Sequence, residues 1–87
     1  MYDFEFDERK SEANLEKHGI DFRAVQALWD DPYLVEIPAR TEDEPRVIAI
    51  GRIAGRHWAA IVTPRSGKVR LISVRGARTE EVRIYES

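Results

Sequence analysis

Three strand-like runs follow one another in the second half of the chain, and their spacing constrains the fold more than any other feature. Arg46 to Ala54 carries Val47, Ile48, Ile50 and Ile53, and His57 to Pro64 carries Trp58, Ile61 and Val62. Lys68 to Val74 is the third. Only Gly55-Arg56 separates the first two, and Ser66-Gly67 leads into the third, so both junctions read as hairpin turns. The result is an antiparallel meander. Successive side chains alternate in a strand, which places Val69, Leu71 and Ser73 on one face of the third run and Arg70, Ile72 and Val74 on the other. Arg75 ends that strand, Gly76 loosens the backbone, and a helix is expected from about Arg78. On it Ala77, Glu81 and Tyr85 recur at i, i+4, i+8 and share a side.

Upstream, Tyr2, Phe4 and Phe6 alternate with acids, the pattern of a short half-buried strand at a sheet edge. Asp7 is a good N-cap, and Glu8 suits the first turn of the helix that follows. Ala13 and Leu15 are the clearest core positions of that helix, Lys17 and His18 occupy its last turn, and Gly19 closes it. A second helix is expected over Asp21–Trp29, with Phe22, Val25, Leu28 and Trp29 as its core stripe, stopped by Asp30-Asp31-Pro32. Asp30 and Asp31 read as a helix end and turn, since no third metal ligand lies nearby. Tyr33 to Ile37 reads as a strand and Pro38 to Pro45 as a polar loop with a solvated Glu42-Asp43-Glu44 run. The expected fold is one α+β domain over residues 1–87, with two N-terminal helices packed on an antiparallel three- to four-stranded sheet and a C-terminal helix.

Charge is unevenly placed. Up to Pro45 there are 13 acids and 5 bases, whereas from Arg46 onward there are 9 bases and 3 acids. No acid occurs between Arg46 and Arg78, and seven of the eight bases there are arginine, the side chain suited to bidentate phosphate contacts. The near-neutral total hides a basic half that either meets an anionic partner or docks on the acidic half. The absence of cysteine removes disulfides and thiolate chemistry, and His18 and His57 show no metal-ligand spacing. No cofactor or metal is expected. With no apolar run of membrane-spanning length and an acidic N-terminus unlike a signal peptide, the expected location is the cytoplasm.

Certain residues in order carry a resemblance: Asn14, Lys17-His18-Gly19 and Phe22, then Asp30-Asp31-Pro32, Glu44-x-Arg46, Ile50-Gly51 and Thr63-x-Arg65. Arg70-x-Ile72-Ser73-x-Arg75-x-Ala77, Glu81 and Tyr85 complete it. The chain resembles the BrnT family, the toxin half of BrnT–BrnA toxin–antitoxin pairs. The resemblance implies an architecture similar to RelE-type ribonucleases, growth arrest by RNA cleavage, and neutralisation by a BrnA-like antitoxin whose ribbon-helix-helix part binds DNA. Contact with DNA would then be indirect, and a heterotetramer with the antitoxin is compatible with it.

Metal-free RNA cleavage uses the ribose 2′-OH as nucleophile on the adjacent phosphate. It needs a group to take that proton, cations for the charge growing on phosphate, and an acid for the departing 5′ oxygen. His18 can serve either proton role, since histidine is the side chain that changes charge nearest neutral pH; it can equally be a helix-end residue. Arg65, Arg75 and Lys17 can hold the phosphate. Tyr85 can donate a hydrogen bond, stack on a base or simply pack, and Glu81 can act as base or orient an arginine. His18, Arg65, Arg75 and Tyr85 are thus the catalytic candidates, and Lys17, Lys68, Arg70 and Arg78 the RNA-binding ones. A non-catalytic nucleic-acid-binding module and a protein-interaction domain remain alternatives. On this reading His18, Arg65 and Arg75 converge on one phosphate-sized site flanked by Lys17 and Arg78, and alanine at Arg75 leaves the thermal midpoint almost unchanged.

Overall fold

A computed structural model describes residues 2–39 and 44–87. Their elements are β1 (Phe4–Glu5), α1 (Glu8–His18), a 3-10 helix (Ala24–Asp30), β2 (Val35–Ala39), β3 (Arg46–Ile53), β4 (Arg56–Arg65), β5 (Lys68–Gly76) and α2 (Thr79–Glu86). The sheet runs in the order β1-β5-β4-β3-β2. Its last four strands form the expected antiparallel meander, and the edge strand β1 adds a parallel partner to β5, Phe4 opposite Val69. The sheet therefore has five strands and is mixed, where three or four antiparallel strands were expected.

Both hairpins turn where two residues of positive φ follow one another: Ala54 (49°) with Gly55 (83°), and Ser66 (46°) with Gly67 (80°). Such pairs match the right-handed twist of the flanking strands. The first turn lies one residue earlier than expected, so Arg56 opens β4. β2 includes Pro38, expected in the loop; an outermost strand tolerates its missing N–H. Of the acidic run, Glu42 and Asp43 lie outside the described residues, while Glu44 pairs with Arg65 at 3.2 Å instead of standing free in solvent.

The segment expected as a second α-helix is a 3-10 helix from Ala24 to Asp30. Phe22, Val25 and Leu28 are all fully buried, and a strict spacing of three is the period that a 3-10 helix aligns on one side. Trp29 falls off this line and is only partly buried. Asp21 accepts from the Arg23 and Ala24 N–H groups, so its capping role holds. The helix can lie close because a Cβ on Gly51 would meet Leu28 at 3.1 Å and Asp31 Oδ2 at 3.2 Å.

α1 departs from expectation on its core side. Leu15 is exposed (49%) and so is Ala13, while Ser11 and Asn14 are buried. Asn14 donates to the Ile20 carbonyl (2.8 Å) and accepts from the Val74 N–H (3.1 Å), and Ser11 accepts from the Phe22 N–H (2.9 Å). Polar side chains won these positions because the chain reversal after Gly19 and an unladdered N–H of β5 must find partners.

That N–H belongs to the second surprise, an irregularity in β5. Ile61 pairs with Ser73 but Val62 pairs with Leu71, leaving Ile72 as an extra residue. The bulge reverses the alternation beyond it. Leu71 and Val74 therefore both join the core under α1 and the 3-10 helix, with Ala49, Ala60 and Val62. Val74, expected opposite Leu71, shares its face. Arg75, paired with Ala59, turns to the other face, where α2 lies against β3 and Ile50 and Ala59 are fully buried.

Candidate active site

The site forms where β5 ends and α2 begins. His57 and Ala59 alternate on β4, so His57 shares the face of Arg75, and the Ala77 N–H donates to the His57 carbonyl at 3.1 Å. α2 returns across this face at once, bringing Glu81 to Arg75 and Tyr85 with Glu86 to His57.

Arg75 and Glu81 form a two-pronged pair: Nη1 donates to Oε1 at 2.7 Å and Nη2 to Oε2 at 2.9 Å. Glu81 also accepts from the Arg78 N–H at 2.8 Å, which anchors the start of α2. The Arg75 hydrogen bonds outweigh burial and hold the Glu81 carboxyl below the usual carboxylate range. The same bonds push the Arg75 guanidinium up. A third N–H, also from Nη1, donates to the Gly76 carbonyl at 3.4 Å, so two of the five guanidinium donors stay available for a ligand.

Tyr85 donates to Asp31 Oδ2 at 2.6 Å, and its ring meets the His57 ring edge-on at 5.2 Å. The bond to Asp31 pushes the Tyr85 phenol up to about 12, so it is a donor and not a base near neutral pH. Asp31 also accepts from the Tyr33 and Arg52 N–H groups. Burial opposes its ionisation, but these three hydrogen bonds win and hold its carboxyl down. Asp31 is the turn residue expected from its place before Pro32, with the added task of fixing Tyr85. The His57 imidazole is itself held by Glu86, Nε2 lying 3.3 Å from Oε2.

A carboxylate whose folded pKa is depressed contributes stability that is complete above its unfolded pKa and is lost as pH falls through the folded value. For Glu81 and Asp31 the unfolded values are ~4.3 and ~3.9, so the thermal midpoint should decline from near pH 4 downward. Glu81→Gln should be less stable than the parent at pH 7 and decline less steeply in acid. Thermal unfolding across pH checks this, and parallel declines for the two proteins would overturn it.

The candidates divide as follows. Arg75, Tyr85 and Glu81 come together, and Arg78 stands exposed beside them as N-cap of α2. Arg65 and Lys68 face each other at the opposite end of the same hairpin, about 20 Å of strand from Arg75. Arg65 therefore does not join the site. Arg70 is paired with Glu5 at 3.6 Å, so the acidic half does neutralise part of the basic half. His18 lies one helical turn beyond Asn14, and Asn14 is bound to Val74, so Lys17 and His18 reach the same end of the sheet. They stand on the α1 side of it, however, whereas Arg75 faces α2. The expected convergence of His18 with Arg75 is replaced by His57 with Arg75, because the bulge at Ile72 decides which way Arg75 points. Sequence spacing could not select His57; only the pairing of Ala59 with Arg75 does.

Around this end Lys17, Arg52, Arg56 and Arg78 are exposed and form no salt bridge among the described residues. Arg56 lies over the Trp58 ring at 4.1 Å, which holds its guanidinium in place. Among the described residues no three His, Asp or Glu side chains gather as a metal site, and no helix is long and apolar enough to cross a membrane.

Residues 6–81 match the model of a family described as the ribonuclease toxin BrnT of type II toxin–antitoxin systems. No curated protein matches the chain.

Proposed function

The chain belongs to the BrnT family of ribonuclease toxins of type II toxin–antitoxin systems, and we propose that it cuts RNA at the Arg75–His57 end of the sheet without a metal. The observation that carries this reading is the shared face of Arg75 and His57, each held by its own carboxylate from α2. The uncommitted Arg75 donors hold a non-bridging oxygen of the scissile phosphate and oppose the charge that grows there. The His57 imidazole takes the proton of the 2′-OH as its oxygen attacks phosphorus. The P–O5′ bond breaks, a proton is returned to O5′, and the products are a 2′,3′-cyclic phosphate and a 5′-hydroxyl. Glu81 and Tyr85 are positioning residues, one for the guanidinium and the other for the imidazole. Lys17, Arg56 and Arg78 hold flanking phosphates, and His18 borders the same path on the α1 side.

A BrnA-like antitoxin, in an assembly such as a heterotetramer, neutralises the toxin by covering this cationic end. Expression without the antitoxin then arrests growth in the cytoplasm. Arg65, Arg70 and Arg75 already have carboxylate partners, so an acidic segment of the antitoxin is directed to Arg52, Arg56 and Arg78.

Incubating the purified chain with end-labelled RNA in EDTA tests the proposal. Cyclic-phosphate ends are expected, and His57→Ala should lose on the order of 10²-fold in rate. Unchanged cleavage by His57→Ala, or a larger loss in His18→Ala, would overturn the assignment.

A further inference from the structure

Beside the Arg75–His57 site lies an open cleft of about 500 Å³, lined by Asp30, Asp31, Tyr33, Arg52, Ala54 and Tyr85. Tyr85 belongs to both, since its hydroxyl closes the cleft against Asp31 while its ring packs on His57. We infer that this cleft is a base-recognition subsite that takes guanine from the nucleotide next to the scissile phosphate. The inference rests on the proposed ribonuclease reading and names the base its site prefers.

The volume is of the size that a nucleotide fills. Tyr33 stands at the cleft as a residue 73% exposed, with no aromatic neighbour among the described residues. Its backbone is nonetheless fixed, because Pro32 precedes it and its N–H donates to Asp31 Oδ1 at 2.8 Å. A large ring presented to solvent on an anchored turn is a stacking platform for a base. Asp31 is spent, its carboxylate accepting from Tyr33, Arg52 and Tyr85. Asp30 is not: among the described residues its carboxylate makes no hydrogen bond or ion pair, and it lines the cleft.

A carboxylate only accepts, and it accepts best from two parallel N–H bonds. Guanine offers that pair, N1–H and the N2 amine, on one edge. Adenine, cytosine and uracil each set a single donor beside an acceptor on the same edge, and the acceptor would face a negative oxygen. Arg52, exposed at the rim, supplies the cation that a carboxylate-lined cleft needs to admit an anionic chain. A pair of this kind separates bases by roughly tenfold to a hundredfold.

Titration of the protein with the 3′-monophosphates of guanosine, inosine and adenosine, followed by cleavage of RNAs differing at one nucleotide, tests the subsite. Guanosine monophosphate should bind at least tenfold more tightly than the adenosine compound, with inosine, which lacks the amine, between them. Asp30→Asn should erase this order, and Tyr33→Ala should weaken all three alike; both side chains are exposed, so folding is preserved. Equal binding of the three nucleotides, or an unchanged order in Asp30→Asn, would overturn the subsite. A parent that orders the nucleotides but cuts no RNA would keep the subsite and remove the ribonuclease reading of Arg75 and His57. A parent that cuts all the RNAs equally would do the reverse.

Discussion

Arg75→Ala should slow RNA cleavage by on the order of 10²–10³-fold, the cost of removing one donor that meets charge in the transition state. It should also lower the thermal midpoint, contrary to expectation from the sequence. Glu81 is 7% exposed, and without Arg75 its carboxylate keeps only the Arg78 N–H. Hydrogen bonds to charged groups contribute about 1.5–3 kcal/mol, and stranding a buried acceptor costs a similar amount. For a domain this small that is roughly 10 °C in the midpoint. The two effects can be separated, since Arg75→Ala combined with Glu81→Ala removes the stranded carboxylate and should recover part of the stability but none of the cleavage. If cleavage returned together with stability, Arg75 would be acting only through the fold. Equal rates for Arg75→Ala and the parent would remove it from the site.

Asn14→Ala should be the most destabilising substitution of a surface-forming element. The amide joins the Ile20 carbonyl to the Val74 N–H, so truncation leaves two backbone groups without partners, one at the corner after α1 and one beyond the β5 bulge. At about 1–3 kcal/mol for each, the expected loss is about 3 kcal/mol. This corresponds to a fall in midpoint of roughly 15 °C. Leu15→Ala, by contrast, removes a half-exposed side chain and should cost less than about 0.5 kcal/mol. Thermal or urea unfolding of the two variants decides the matter. A larger loss at Leu15 would mean that α1 packs by its apolar residues after all.

The contrast between Asn14 and Leu15 marks where local reasoning stops. Hydrophobic period and turn chemistry are local properties, and they sufficed for the hairpins at Gly55 and Gly67, the caps at Asp7 and Gly19, and the core place of Trp58. The same logic found the edge strand around Phe4, the start of α2 near Arg78, and the shared side of Glu81 and Tyr85 on that helix. Periodicity also contained the 3-10 helix, since Phe22, Val25 and Leu28 repeat every three residues, but a stripe so short reads as α-helix until the packing is seen. Tertiary structure alone decided the rest. Asn14 meets Val74 across 60 positions, and Tyr85 meets Asp31 across 54. One extra residue at Ile72, visible only once Val62 is paired with Leu71, sends Arg75 to the α2 face. Register is set by contacts between distant strands, and a single bulge inverts every side chain beyond it. The sequence could thus supply two histidines and an arginine, while the pairing of β4 with β5 placed His57 on the face that Arg75 shares.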